Sequence, residues 1–249
     1  MNMHPLTMVV CGDTLPNGSM GEVLSHLTES LDRLVAKSSV LKKQGDPVDM
    51  ALYGPFLGRA IIEVSMTAIL ARFDPLRVLA IRRSQMVPEF SLSLRNPLAF
   101  SWSIDVQGEE KPKDWGQKLL PRELQRALLC KHYHDVFWQE AFTLVLDLTP
   151  TARGAEWMSR LRKIDPEGFT TAMRTRADRL YSELSKGIHH EFVIPLVSQY
   201  DTATVSDLLI RSWEFVATLG ITTCHSPIVR SLSSSDAIER FEQAQTELL

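Results

Sequence analysis

The sequence predicts an all-α fold, an up-down helical bundle, and three observations carry that prediction. Asp-Pro occurs three times, at 46–47, 74–75 and 165–166. Aspartate is a favoured N-cap, and proline in the first helical position gives up an amide that has no partner there anyway. Ser19 and Glu22 have the capping-box spacing, in which a hydroxyl and a carboxylate satisfy the first orphan amides of a helix. Behind them Met20, Val23, Leu24, Leu27, Leu31, Leu34, Val35 and Leu41 fall on one stripe at the helical period.

Residues 1–18 read as irregular, with a short strand at 8–11 ending at Gly12-Asp13. The capping box opens a helix that runs to about Lys43 and stops at Gly45. A second helix starts at Asp46-Pro47, is broken or restarted at Gly54-Pro55, and has its main body over 56–72. The third runs from Pro75 to Met86, because the residue before Pro88 avoids the helical region. In 88–120, Phe90, Leu92, Leu94 and then Phe100, Trp102, Ile104 alternate around Asn96-Pro97, the pattern of two short strands and a hairpin. The charged run 109–114 marks this stretch as an insertion or mobile arm within a single helical domain spanning 1–249. A long apolar helix follows over 121–148, then shorter ones at 151–163, 166–191 and 204–219, the last with Thr204 as cap and Gly220 at its C-terminus. A final helix at 236–248 begins after the serine run 233–235.

A chain of 249 residues, 44% apolar and 23% charged, is long enough for a real hydrophobic core and excludes disordered and fibrous classes. The net charge of -3 gives no global drive toward nucleic acid or anionic membranes, so any such contact needs a local patch. Cys11, Cys130 and Cys224 are odd in number and in no paired spacing, which predicts no disulfides and a reducing, cytoplasmic setting. The N-terminus lacks the pattern of a signal peptide. The longest apolar candidate, 56–73, is interrupted by Arg59, Glu63 and Arg72 and reads as a buried helix, so no membrane span is expected.

There is no Gly-rich phosphate loop, no Gly-x-Ser-x-Gly elbow and no His-Glu-x-x-His, and no cofactor or metal is expected. His132-x-His134-Asp135 contains a pair similar to the dyad of HD phosphohydrolases. Two helical positions are about 200° apart, however, so His132 and His134 cannot share one ion. Arg59 and Glu63 sit four apart on a helix otherwise too apolar to face water. They form either an internal ion pair or part of a ligand-binding polar site looking into the bundle.

The densest run of titratable groups is 174–191. Met173, Ala177, Leu180, Leu184 and Ile188 form its inward side. Arg179, Glu183, Lys186 and His190 make a second stripe, and Tyr181, Ser185 and His189 flank the core. The candidate catalytic or anion-binding set is Arg179, Glu183, His189 and His190. The histidines titrate near neutrality, Arg179 can hold an anion, and Glu183 one turn away orients it.

Tyr181, Leu184, Ser185 and His189 make a Tyr-x-x-Leu-Ser-x-x-x-His pattern that resembles HEPN-like helical domains of bacterial and phage-conflict proteins. Arg126 and His132 also have the separation found in that superfamily's ribonucleases, and an upstream apolar helix with an arginine and a glutamate, like 56–72, suits it. The resemblance covers two helices. The ribonuclease arginine is absent ahead of His189, which lies ten residues after Arg179.

The resemblance implies a helical interaction subunit of a bacterial defence or toxin-type complex that binds a protein partner and, in a further reading, RNA. The alternatives are a metal-independent ribonuclease and a small-molecule or nucleotide binder with Arg59 and Glu63 in its pocket. Trp102, Trp115, Trp138 and Trp213, with the broad apolar helices, lead to an expectation of a homodimer or hetero-complex.

Overall fold

A computed structural model describes residues 3–13, 17–86, 127–129, 133–153, 155–188, 193, 195–229 and 232–249. The described residues are helical and contain no strand. The helices are α1 (Pro5–Cys11), α2 (Ser19–Gln44), α3 (Pro47–Phe73), α4 (Pro75–Gln85), α5 (Gln139–Leu148), α6 (Ala155–Leu161), α7 (Phe169–Ile188), α8 (Leu196–Gln199), α9 (Thr202–His225) and α10 (Ser234–Leu248). Short 3₁₀ turns cover Ala127–Leu129 and Pro166–Gly168, and a π-helical turn covers His134–Trp138. The expected all-α bundle is the fold, while the expected hairpin in 88–120 lies outside the described residues.

Two helices form the centre. α3 packs against α9, α2 and α7, and α9 against α3, α1, α10 and α5. From Ser212 to Ser226 every residue of α9 and its cap is buried, as befits a helix covered on all sides. Its hydroxyls create no debt there, because Ser212, Thr218, Thr222 and Thr223 each donate to a carbonyl four residues back, at 2.7 to 2.8 Å. Trp138, Trp157 and Trp213 are fully buried in this core. Trp138 and Trp213 therefore supply no interface, against the expectation placed on them, because one bundle of this length does have room for them.

The caps follow the Asp-Pro logic. Asp46 accepts from the amides of Val48 and Asp49 at 2.8 and 2.9 Å, and Asp165 from that of Glu167. Five local expectations are corrected. The strand at 8–11 is helix α1: His4 caps it by accepting from the Leu6 amide at 3.1 Å, and Val9 and Val10 are buried. The capping box does not close. Gly18 is the N-cap, at a φ of 76° that favours glycine, and Glu22 pairs with Arg82 of α4 instead. Gly54-Pro55 does not break α3, since the Pro55 ring seats against Gly187 of α7 and Gly54 against Val205 of α9. Within the expected long helix over 121–148, the described residues form the 3₁₀ turn, the π turn and α5, with the Trp138 indole donating to the Leu128 carbonyl at 2.6 Å. α9 starts under Asp201, not Thr204, and continues through Gly220, where a Cβ would lie 2.8 Å from Val9 of α1. At Gly54-Pro55 and at Gly220 a tertiary contact overrides a local stop signal.

Candidate functional site

α7 stands between the two clusters of charged groups. Phe169, Thr170, Met173, Ala177, Leu180, Leu184 and Gly187 are buried, so one face is fixed against the core. At about 100° per residue, Tyr181 and Ser185 then project on one flank and Thr175, Arg176, Arg179 and Glu183 on the other. The structure separates what the sequence places in one run.

On the first flank α7 meets α3. The Arg59 Nε donates to Glu63 Oε1 at 2.9 Å, its Nη1 to Ser185 Oγ at 3.2 Å, and its Nη2 to the Tyr181 hydroxyl. Tyr181 in turn donates to Glu63 Oε1 at 3.1 Å, closing a ring of hydrogen bonds. The guanidinium also lies over the Tyr181 ring, 4.3 Å from its centroid. Arg59 and Glu63 are therefore an ion pair at a half-buried seam, with side-chain exposures of 24% and 40%. Burial pushes the Tyr181 phenol up, and the Glu63 charge adds to that, so it stays protonated at neutral pH and serves as a donor. With Ser185, these side chains hold one another in place.

On the second flank α7 meets α6 and α9. Glu183 accepts from Arg179 Nε at 2.8 Å through Oε1, while Arg211 of α9 reaches Oε2 at 2.8 Å and Asp207 at 3.1 Å. Burial pushes the Glu183 carboxyl up. The hydrogen bond from Arg179 and the charge and hydrogen bond of Arg211 outweigh that and leave it below the usual range. Deeper in, Glu214 of α9 is buried between two arginines. Arg160 holds it bidentately at 2.9 and 2.7 Å, and Arg176 approaches at 3.3 and 3.0 Å. The Glu214 bond raises the already high pKa of Arg160 further.

In front of these carboxylates runs an open groove of about 660 Å³. Its lining is Gly168, Thr171, Ala172, Thr175, Arg176, Arg179 and Arg211.

The structure thus brings Arg179 and Glu183 together as expected. Arg59 and Glu63 also come together, on the opposite flank. His189 and His190, together with Arg126 and His132, lie outside the described residues. His134 contacts Thr170 Oγ1 at 2.8 Å, and the described residues hold no group of three or more metal-ligating side chains.

Sequence reasoning missed Glu214, Arg211 and Arg160. The signal available was Glu214 itself, an acid embedded in the apolar stretch from Trp213 to Gly220. Cys11 and Cys224 are free and buried, and no described helix is long and apolar enough to cross a membrane. No family model, no curated protein and no solved structure matches this chain.

Proposed function

We propose that this chain is a helical binding module that engages a protein partner through the outward face of α3. One observation carries this reading. Val48, Leu52, Tyr53 and Phe56 are 42 to 56% exposed on consecutive turns of a helix whose other side is core. Large apolar side chains scattered singly on a surface need no explanation, whereas a contiguous strip of them marks an interaction site. Val48, Leu52 and Phe56 lie on the same helical line as Arg59 and Glu63, so the strip runs into a guanidinium whose direction is already set. Aromatic side chains and arginine are the types enriched where protein interfaces are energetically dense. The partner that fits is an apolar helix or strand that covers Val48, Leu52, Tyr53 and Phe56.

The HEPN-like resemblance gains support from the convergence of its residues. Tyr181 and Ser185 both bond Arg59 on the upstream apolar helix, and Leu184 between them is buried. The defence-complex setting rests on that resemblance alone.

The test begins with Leu52→Asp and Phe56→Asp, singly and together. These should leave the melting temperature unchanged or slightly raised, because the side chains are solvated. A partner isolated from the native host, identified and purified, should bind the wild-type chain and Arg179→Ala alike, and the double variant at least about tenfold more weakly. A large drop in melting temperature would show that the strip belongs to the fold of this chain. Metal-independent cleavage of total RNA that disappears in a His189→Ala/His190→Ala variant would replace the module reading with a ribonuclease.

A further inference from the structure

We propose that the groove between α7 and α9 binds a ligand carrying several phosphates in series. This site is separate from the α3 strip and does not depend on it. The lining contains three arginines, two threonines, a glycine and an alanine, and no carboxylate. Within a chain of net charge -3, the charged side chains that line this wall are all cationic.

The carboxylates that neutralise these arginines stand behind or beside them. Glu214 is 4% exposed at the back, and Glu183 and Asp207 grip Arg211 from its own helix side and from α7. These acids act as orienting groups. They fix the planes of Arg176 and Arg211, which are 24% and 26% exposed, without entering the space in front. A guanidinium has five N–H donors, and the contacts to Glu214, Glu183, Asp207 and the Arg211 carbonyl use no more than three on any one of them. The remaining donors are available to an anion.

Arg179 differs from the other two. It is held only at Nε among its described contacts, and its side chain is 73% exposed, so both of its terminal nitrogens can reach over the groove. A planar fork of this kind matches two oxygens of one phosphate. The exposed residues Thr171 and Thr175 extend the lining from the arginines toward Gly168, the Thr175 hydroxyl donating to the Thr171 carbonyl at 3.0 Å.

Shape decides the ligand class. From Gly168 to Arg179 the groove follows three turns of α7, a length of about 16 Å at 1.5 Å per residue. It is an open trough and not an enclosed pocket. A single carboxylate or inorganic phosphate would occupy a fraction of it. A triphosphate, or the backbone of a single-stranded nucleic acid, would meet Arg176, Arg179 and Arg211 in succession.

The two sources are separable in one titration series. The full-length chain is titrated with a fluorescently labelled single-stranded oligoribonucleotide and, separately, with ATP and inorganic triphosphate, from about 50 to about 200 mM salt. The expected result is binding of at least one of these probes, weakening as salt rises, with a loss of about tenfold or more in Arg179→Ala and in Thr175→Glu. Thr175→Glu places a carboxylate one turn from Arg179 at an exposed helical position, so it offsets one positive charge of the wall without threatening the fold. Arg33→Ala, an equal loss of charge on the exposed side of α2, should bind like the wild type. Tight oligonucleotide binding with triphosphate as a weak competitor identifies a nucleic-acid backbone, and the reverse identifies a free nucleotide. The proposal is overturned if no probe binds below about 1 mM at low salt, or if Arg179→Ala and Thr175→Glu bind as Arg33→Ala does.

Discussion

The two flanks of α7 use the same residue types and come out differently. Facing α3, one arginine and one glutamate are closed into a ring by Tyr181 and Ser185, so the guanidinium spends its donors inward on the seam. Facing α9, Glu183 and Glu214 sit behind a row of arginines, so part of each guanidinium is left for the groove. An arginine–carboxylate pair does not by itself announce a latch or a binding surface. The position of the acid relative to solvent settles which it becomes.

The sharpest way to break this contrast is Glu214→Gln. Removing the charge of this buried carboxylate takes the shared partner from Arg176 and from Arg160, which is 41% exposed and keeps Glu156, and should cost about 2 to 3 kcal/mol. Denaturant midpoints of the variant and wild type, at unchanged slope, measure it. A loss under about 1 kcal/mol would mean that water already reaches this cluster and that the two flanks are alike.

Gly187→Ala attacks the other flank through packing. An added methyl would lie 2.6 and 2.8 Å from Pro55 of α3 and 3.1 Å from the Tyr200 ring. It should cost about 1 to 3 kcal/mol by forcing α3 and α7 apart, and it should loosen the Arg59 ring with them. Thermal melts read the cost. Solvent exchange of the Tyr181 hydroxyl, or ultraviolet difference absorption of its phenol, reads the loosening.

Tyr181→Phe isolates the ring chemistry and should cost about 1 kcal/mol, because a half-buried Glu63–Arg59 pair remains without its bridge. The flanks should also differ in their response to pH. The Tyr181 pKa is raised on folding, so its contribution is complete below the ordinary phenol value and is lost as pH climbs through that value toward the folded one. The Glu183 pKa is lowered on folding, so its contribution is complete above the ordinary carboxylate value and is lost as pH falls through the folded one. Stability measured against pH should therefore lose part of its alkaline limb in Tyr181→Phe and part of its acid limb in Glu183→Gln. Swapped limbs would contradict the assignment.

The smallest expected effect is that of Arg179→Ala. Its pair with Glu183 is solvated on the arginine side, and Glu183 keeps Arg211, so stability should stay close to that of the wild type. A calorimetric melt that shifts by several degrees would show that Arg179 supports the fold and does not chiefly face a ligand.

The local chemistry of the chain was readable wherever a group satisfies its nearest neighbours. Asp46 and Asp165 cap as their Asp-Pro pairs predict, Gly45 ends α2, and α7 buries the stripe that its apolar spacing defines. The ion pairs Arg59–Glu63 and Arg179–Glu183 were readable for the same reason, being one helical turn apart. Tertiary structure decided everything that depends on a distant helix. Gly54-Pro55 and Gly220 read as stops, and they sit inside helices because Val205, Gly187 and Val9 need close approach at those points. Glu214 gains its two arginines from positions 54 and 38 residues away in the chain. Periodicity gives each residue an angle about its own helix axis, but it carries no information on which other helix will lie at that angle. The sequence therefore determined α2, α3, α4 and α7 and the inward face of α7, while α1 took its helical form against the expected strand. Only the packing of α7 between α3 and α9 decided that one charged run becomes a closed seam on one side and an arginine-walled groove on the other.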